Sequence, residues 1–588
     1  MTPKRSADSI PFLVAGIVPD VTGLDRVFDY AVPEALAASV GIGGRVRVSL
    51  NGRHVGGWVV SLAAPTNDDM KLKSIERSSG LGPDEEILDL CRWASWRWGA
   101  NRLRPFLVTA SPNTVVNRPS PTRRTTVLAE PVSPAATALL AQGGGVLRLP
   151  PSDDHMPAVL AAARLGPTLV VCASIDGARV LATRLRRTGV SVALMPDEWA
   201  QARGGVDVVI GARAAAFAPC PDLAAAIVLD EHEDAMQEER VPTWHARDVV
   251  AERARRYGAP VLLISPCPSV VALEGRILVA PPPEREAAAW PTVEVVDRND
   301  EEPWKRSLVS AALIAYLRDP SLRVACVLNT KGQAKLLACR GCNTLVRCED
   351  CNAAMGEDEV GRLDCGSCGA TRPRVCASCG SGVLARLRPG VSRLRDELEA
   401  AAQRDVVSVV ANKDSDVVDD SAADVFVGTE AVLHRVRRLD VVAFLDFDSE
   451  LLAPRYRAAE QALALLARAA RVLGKKRSGG RLIIQTTMSD HDVVRAARTG
   501  NPSLASESET SHRRTLSLPP FSALAVIDGD ASNDFAEHLK AVPGVAVSPH
   551  RERWLVRATD SVTLADALAD TERPPNAKLR IEVDPARL

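Results

Sequence analysis

No stretch of this 588-residue sequence stays apolar for anything near the ~18–20 residues that a membrane-spanning helix needs. Its most signal-like segment, Ile10–Val18 behind Lys4 and Arg5, lacks a small-residue cleavage site and is interrupted by Pro19-Asp20, so it reads as a first β-strand. These absences predict a cytoplasmic protein with no membrane partner. Net charge is lacking too: 72 Lys+Arg stand against 73 Asp+Glu, leaving −1 and no global field to draw in a polyanion. Any nucleic-acid contact must then come from local patches. Lysine is scarce, with 11 residues against 61 arginines. Beside so much Ala and Val this reads as codon bias from a GC-rich genome, although Arg also suits bidentate phosphate contacts. Apolar residues are not lacking: 46% excludes a mostly disordered or collagen-like chain, and the length predicts about three to five domains.

Eight of the 13 cysteines fall within Cys339–Cys379 as four CxxC pairs: Cys339/Cys342, Cys348/Cys351, Cys365/Cys368 and Cys376/Cys379, with gaps of 5, 13 and 7 residues. Two thiolates two residues apart on a tight turn can grip one tetrahedral Zn²⁺, and two such pairs complete a closed Cys₄ site. Eight ligands therefore predict two zincs. Disulfide frameworks belong to small secreted domains, and redox CxxC motifs usually occur singly. Spacing alone does not give the pairing. Cys91, Cys172, Cys220, Cys267 and Cys326 lie scattered among apolar residues and read as core.

Around this module the pattern is α/β. Short β-branched runs recur at Thr168–Ser174, Val206–Gly211, Ala226–Asp230 and Val261–Ser265, then at Arg323–Leu328, Val406–Val410, Asp424–Gly428, Val441–Asp446 and Leu482–Thr486. Helix-period stretches separate several of them, as in Ala459–Leu473 with Leu463, Leu466, Ala470 and Leu473 on one face. Alternation of this kind predicts two lobes built on parallel sheets, with the cysteine module inserted between the first two strands of the second set. Residues 10–110 predict a β-rich unit ending in a helix near Glu85–Trp98, in which Trp93 and Trp96 are expected in the core. Ser111–Arg124 reads as a linker, Asn501–Ser511 as a polar loop, and the last 75 or so residues as a small α+β domain.

A nucleotide-driven motor needs a GxxxxGK[ST] loop after its first core strand. Here that strand, Gly145–Leu149, runs into Pro150-Pro151-Ser152-Asp153-Asp154-His155. Prolines remove N–H donors, the two aspartates repel a triphosphate, and no lysine is present. No Gly-Lys-Ser/Thr occurs anywhere, since Gly474-Lys475 runs into Lys476. Neither ATP nor Mg²⁺ is expected at this loop.

Several segments together resemble the primosomal protein N′ (PriA) family of bacterial replication-restart helicases, over nearly the whole length. Phe28-Asp29-Tyr30 with Val32-Pro33-Glu34, then Gly44-Arg45-Val46-Arg47-Val48, resembles the family's N-terminal domain, which grips a DNA 3′ end. Val209-Ile210-Gly211-Ala212-Arg213 with Phe217-Ala218-Pro219, His245-Ala246-Arg247-Asp248, Arg457-Ala458-Ala459-Glu460, Leu518-Pro519-Pro520-Phe521 and Val583-Asp584-Pro585 match further family segments. The eight cysteines follow its zinc spacing. The departures are at nucleotide-handling positions. The family's DEEH box is reduced to Asp230-Glu231-His232 in a shifted frame, which reads as an acidic loop. The arginine-finger motif becomes Arg468-Ala469-Ala470-Arg471-Val472-Leu473-Gly474-Lys475, with Val472 and Lys475 at the two finger positions. Lys is a poor substitute for the planar guanidinium fork.

The resemblance implies two RecA-like helicase lobes with an inserted two-zinc module, an N-terminal β-rich DNA-binding domain and a C-terminal α+β domain. The implied boundaries are 1–112 for 3′-end binding and 113–131 for a linker too short for the family's winged helix. Lobe 1 spans 132–285, lobe 2 spans 286–334 and 386–500 around the zinc insertion 335–385, and the C-terminal domain spans 512–588. It implies nested zinc pairing, with Cys339, Cys342, Cys376 and Cys379 on one ion and Cys348, Cys351, Cys365 and Cys368 on the other. It places Phe28, Asp29, Gly52 and Lys73 around a terminal nucleotide, and makes Asp230, Glu231, His232, Arg471 and Lys475 remnants of nucleotide motifs with no catalytic residue among them. The expected function is a nucleoid-associated replication-restart protein that binds stalled forks without unwinding them. Its expected partners are forked DNA, the replicative helicase and its loader, and other primosome and single-strand-binding proteins. An active 3′→5′ helicase and a zinc scaffold indifferent to forks are the alternatives.

Overall fold

Apolar strands covered by helices on both faces build two parallel sheets at the centre of the molecule. The computed structural model describes residues 13–586, other than 25, 65–71, 101, 300–306, 330–336, 343, 351–352, 359, 366–368, 387–390, 410–422, 437 and 575–577. In the first lobe seven strands lie in the spatial order Leu278–Val279, Gly144–Arg148, Val261–Ser265, Ala225–Leu229, Thr168–Val171, Val208–Gly211, Val192–Leu194, with all neighbours parallel. Thr168–Val171, Val208–Gly211 and Ala225–Leu229 are buried along their whole length, as strands enclosed on both faces must be. The second lobe orders six parallel strands as Thr292–Asp297, Arg481–Thr486, Val441–Phe444, Val324–Val327, Val425–Gly428, Val406–Val409. The cysteine module leaves the chain between Val324–Val327 and Val406–Val409, as the strand spacing predicts. Its Ala354 and Leu452 of the lobe share a small buried cluster, and the Ala354 N–H donates to Leu452 O at 3.3 Å.

Ahead of the lobes, Phe28–Val32, Leu13–Pro19, Arg53–Ala63, Arg45–Leu50 and Arg77–Gly80 form an antiparallel sheet. Bonds from Ala31 N to Lys73 O and from Ile75 N to Ala31 O, 2.9 and 3.0 Å, close it on itself around Ala15, Ile17, Tyr30, Val46, Val48 and Val59. Asn51 and Gly52, at φ 48 and 77°, make the two-residue turn between Leu50 and Arg53, a conformation that Asn-Gly accepts at little cost. The C-terminal domain is an antiparallel sheet ordered Val545–His550, Arg553–Ala558, Ala523–Asp528, Arg580–Val583, with two helices, Ser532–Lys540 and Ser561–Asp570.

Two expectations are corrected. Asn501–Ser511 is not a polar loop: Ser503–Thr515 is a helix. Its buried side includes Glu509 and Arg513, ion-paired at 2.7 Å, with Arg513 also paired to Glu460 at 2.6 Å. A helix that buries paired charges carries no apolar period to read. On Glu85–Arg97, Trp93 and Trp96 are only half-buried, and the fully enclosed tryptophan is Trp98, at the C-cap, edge-on to Trp93 at 5.6 Å. Trp96 reaches the C-terminal domain instead, donating Nε1–H to Asp566 at 2.9 Å.

The expected linker is docked along its length. Ser120 N–H donates to Ala200 O and Arg123 N–H to Gly205 O, both at 2.9 Å, and Arg124 pairs with Asp222 at 2.8 Å. Buried Asp207 accepts Thr125 N–H and Oγ1–H at 2.7 Å, Ser191 Oγ–H at 2.7 Å and Ser191 N–H at 2.8 Å. Asp207→Ala strands those donors, about 1–3 kcal/mol for the unpaired groups. The expected outcome is faster proteolytic cleavage within 113–131 and a lower first unfolding transition, and Asp207→Asn should recover part of both.

Candidate functional site

The cysteine module closes its ends with the antiparallel pair Leu337–Cys339 and Leu384–Arg386. Each CxxC begins with the same turn: Cys339 N–H donates to Thr344 O (2.9 Å), Cys348 to Ala353 O (2.8 Å), Cys365 to Ala370 O (2.8 Å) and Cys376 to Ser381 O (2.9 Å). The sulfurs of Cys339, Cys342, Cys376 and Cys379 lie within 4.8 Å of one another, with Cys339–Cys379 and Cys342–Cys376 at 3.5 Å. A tetrahedral ion with metal–sulfur bonds of about 2.3 Å sets its sulfurs about 3.8 Å apart, so this donor set fits one. The Gly341 N–H points at Cys339 Sγ (3.2 Å), and the Thr344 hydroxyl and N–H hold the Cys342 thiol down at about 6, which favours the thiolate that binds metal. Cys348 and Cys365 are buried on the matching turns, while Cys351 and Cys368 lie outside the described residues.

On the barrel, Asp29 and Lys73 are exposed on neighbouring segments and carry no ion pair among the described residues. Phe28 is half-buried against the barrel core, with the Arg26 guanidinium 5.9 Å from its ring centre, and Gly52 occupies the hairpin tip. Two arginines that the sequence reading did not single out stand out here. Arg47 and Arg77, both exposed, are directly opposed across adjacent strands, and neither has a carboxylate partner among the described residues. Opposed like charges are unfavourable in a sheet unless an anion meets them. The signal available in sequence was only the alternation Arg45-Val46-Arg47-Val48.

The third locus is a cleft of about 1040 Å³ between the lobes, lined by the Pro151–His155 loop, Asp230, Glu233, Glu430, Arg468 and Arg471. Gly144–Arg148 ends below the loop, in which the Asp153 N–H donates to Pro150 O at 3.0 Å and the Met156 N–H to the Asp154 carboxylate at 3.0 Å. That carboxylate thus sits at the start of the helix Met156–Ala163, the position where a helix end receives an anion. Asp230 and Glu231 do form a turn after Ala225–Leu229, but a buried one rather than an open acidic loop. Glu231 accepts Ser269 N–H and Oγ–H at 2.7 and 2.9 Å, and His232 Nδ1 lies 2.8 Å from Ser265 Oγ. Asp230 meets Arg471 through two bonds of 2.7 and 2.5 Å. Burial pushes its carboxyl up, but Arg471, with His155 and His232, outweighs burial and holds it well below the usual range. Lys475 pairs with Asp153 at 2.8 Å, and Val472 lies at the cleft wall.

Two parallel-sheet lobes facing across a cleft, with a β-barrel ahead of them and a cysteine-rich insertion in the second, define a multidomain α/β protein. Residues 16–104, spanning most of the barrel and the helix Glu85–Arg97, match the family model described as the 3′DNA-binding domain (3′BD) of PriA. The replication restart protein PriA of Bacillus subtilis (strain 168) is 28% identical over 373 residues, 58% of this chain and 45% of that protein. That of Haemophilus influenzae is 24% identical over 442 residues, 66% of this chain and 60% of that protein. The chain is similar to the primosomal protein N′ (PriA) family in these segments, and it spans about half the length of the curated relatives it matches. Among solved structures, a DEAD box protein from Methanococcus jannaschii aligns with 62% of this chain and 90% of its own at 10% identity and a TM-score of 0.29.

Cys342→Ser is expected to lower bound metal by one ion per chain and to raise protease susceptibility between residues 335 and 385, because a closed Cys₄ site contributes folding energy directly. Metal analysis before and after exhaustive chelation checks both.

Proposed function

We propose that this chain is a replication-restart protein that holds a forked DNA by its nascent 3′ end and works as a scaffold, without ATP-driven unwinding. The observation that carries the reading is the 3′DNA-binding match over residues 16–104, on a barrel whose outer surface presents Asp29, Lys73, Arg47 and Arg77 without ion pairs among the described residues. Asp29 accepts the 3′-hydroxyl, Phe28 offers a partly exposed ring edge for the terminal base, and Gly52 keeps the hairpin tip low enough for close approach. Lys73, Arg47 and Arg77 contact phosphates, supplying locally the field that a net charge of −1 denies the chain as a whole. The cysteine module holds two zincs in nested pairs and presents a folded surface to the helicase-reloading machinery. The cleft does not turn over ATP, because its carboxylates Asp153, Asp230 and Glu233 are already paired with Lys475, Arg471 and Arg468, and the Asp153 and Met156 N–H groups are bonded within the protein.

The test is competition binding to forks whose leading strand ends at the junction in a 3′-OH or a 3′-phosphate. Wild type is expected to prefer the hydroxyl by roughly 5–150-fold, the equivalent of about 1–3 kcal/mol for an acceptor that the bound terminus covers and leaves without its donor. Asp29→Ala should flatten that preference with the fold intact. Lys73→Ala, Arg47→Ala and Arg77→Ala should each weaken both forks alike and reduce the slope of log K against log salt by about one. Equal wild-type affinity for the two ends sinks the pocket. Steady fork-stimulated ATP hydrolysis by purified chain sinks the non-motor reading.

A further inference from the structure

The helix Ala458–Leu473 and the residues flanking it lay one polar seam along the first lobe. In chain order, Gln461 Nε2 donates to Asp234 at 2.9 Å, Arg468 pairs with Glu233, Arg471 forks onto Asp230 and donates Nε–H to Pro151 O at 2.9 Å, and Lys475 pairs with Asp153 at 2.8 Å. Steps of 7 and 3 residues keep Gln461, Arg468 and Arg471 on one side of the helix, and Lys475 follows just past its C-terminal end. A second set of ties lies at the lobe edge. Arg148, at the end of the first core strand, bonds Ser503 Oγ at 2.5 Å and Glu286 at 2.7 Å. Glu460 Oε1 accepts the Val270 N–H at 2.6 Å. That N–H opens the helix Val270–Leu273 and has no partner within its own helix, so the second lobe supplies its acceptor.

In a two-lobed motor, the nucleotide's phosphates bridge the lobes and the second lobe's arginines meet them there. In this cleft the carboxylates of Asp153, Asp230 and Glu233 take that bridging place, and each is matched by a cation from the other lobe. We propose that this seam is a built-in clamp that keeps the two lobes closed independently of any nucleotide, so that the first and second lobes move as one body. The two arginines of the degraded finger segment, Arg468 and Arg471, are its central pins, and Asp153 and Asp230 are the first-lobe sockets. The clamp concerns the lobes alone and stands or falls without the DNA reading.

Hydrogen exchange at the Val270 amide, measured on the full chain without DNA, reads lobe closure directly. In wild type this amide should exchange slowly, and at the same rate with and without Mg-ATP. Asp230→Arg and Arg471→Asp should each accelerate it at least tenfold, and the double charge swap should restore slow exchange. Amides within Val261–Ser265 serve as the folding control. Should either single variant lose protection there as well, Lys475→Asp, Asp153→Lys and their combination, at the C-terminal end of the seam, replace them with the same expected order. Fast exchange at Val270 in wild type, a change on adding Mg-ATP, single variants that leave it slow, or a swap that fails to restore it overturns the clamp.

Discussion

A single apolar core ties together parts of the chain that sequence distance keeps far apart. Trp58, Leu88 and Trp98 of the N-terminal domain, Val146, Leu169 and Val228 of the first sheet, and Ala525, Phe535 and Val583 of the C-terminal domain all belong to it. Polar ties sit at its margin: Arg97 with Asp584 at 2.7 Å, Thr243 Oγ1–H to Val583 O at 2.7 Å, and Arg203 with Asp84 at 2.8 Å. Because close-packed interiors transmit displacement rather than absorb it, the barrel cannot swing on the first lobe without breaking this core. The docked strap at residues 113–131 reinforces the same joint from outside, through Asp207. The position of the barrel relative to the first lobe and the C-terminal domain is therefore set by packing.

The same restraint extends to the cleft between the lobes. A motor converts lobe movement into work, and its parts must be loosely joined where they move. Here every junction is either a shared core or a row of ion pairs. Loss of a phosphate loop alone would leave Asp230 and Glu233 as uncompensated buried charges, each costly in a low-dielectric cleft. Arg471 and Arg468 remove that cost, so the pairing across the cleft answers the electrostatic requirement of its buried carboxylates. The same logic explains why Glu231, deep beneath the cleft, spends its oxygens on Ser269.

The features legible in the sequence were those encoded by period or spacing. Thr168–Val171 and Ala225–Leu229 announced themselves because a doubly covered strand has to be apolar throughout, and the insertion between Val324–Val327 and Val406–Val409 followed from four CxxC pairs. The outer cysteine set required the resemblance as well, since spacing alone leaves the pairing open. What stayed hidden was stabilised by polar groups meeting across long separations. Arg471 and Asp230 are 241 residues apart, and each taken singly reads as the relic of a lost motif. Ser503–Thr515 hid for the same reason, because its inward side is Glu509 and Arg513 rather than leucine. Trp98 was mistaken for its neighbours because helical spacing locates a stripe and not which end of it meets another domain.

The arginine excess gains a physical meaning from this arrangement. Genome composition accounts for the supply of arginine, but the fold has put it where a planar fork matters: Arg471 on Asp230, Arg148 on Glu286, Arg513 between Glu460 and Glu509. Lysine at these points would offer one compact, strongly hydrated charge in place of two parallel bonds. On the barrel the balance reverses: Arg47 and Arg77 are left facing each other with no carboxylate between them among the described residues, although the chain has 73 acidic residues to place. Cations paired across the cleft and the barrel's Arg47 and Arg77, unpaired among the described residues, thus differ in what surrounds them, and the proposed DNA contact draws on the second kind.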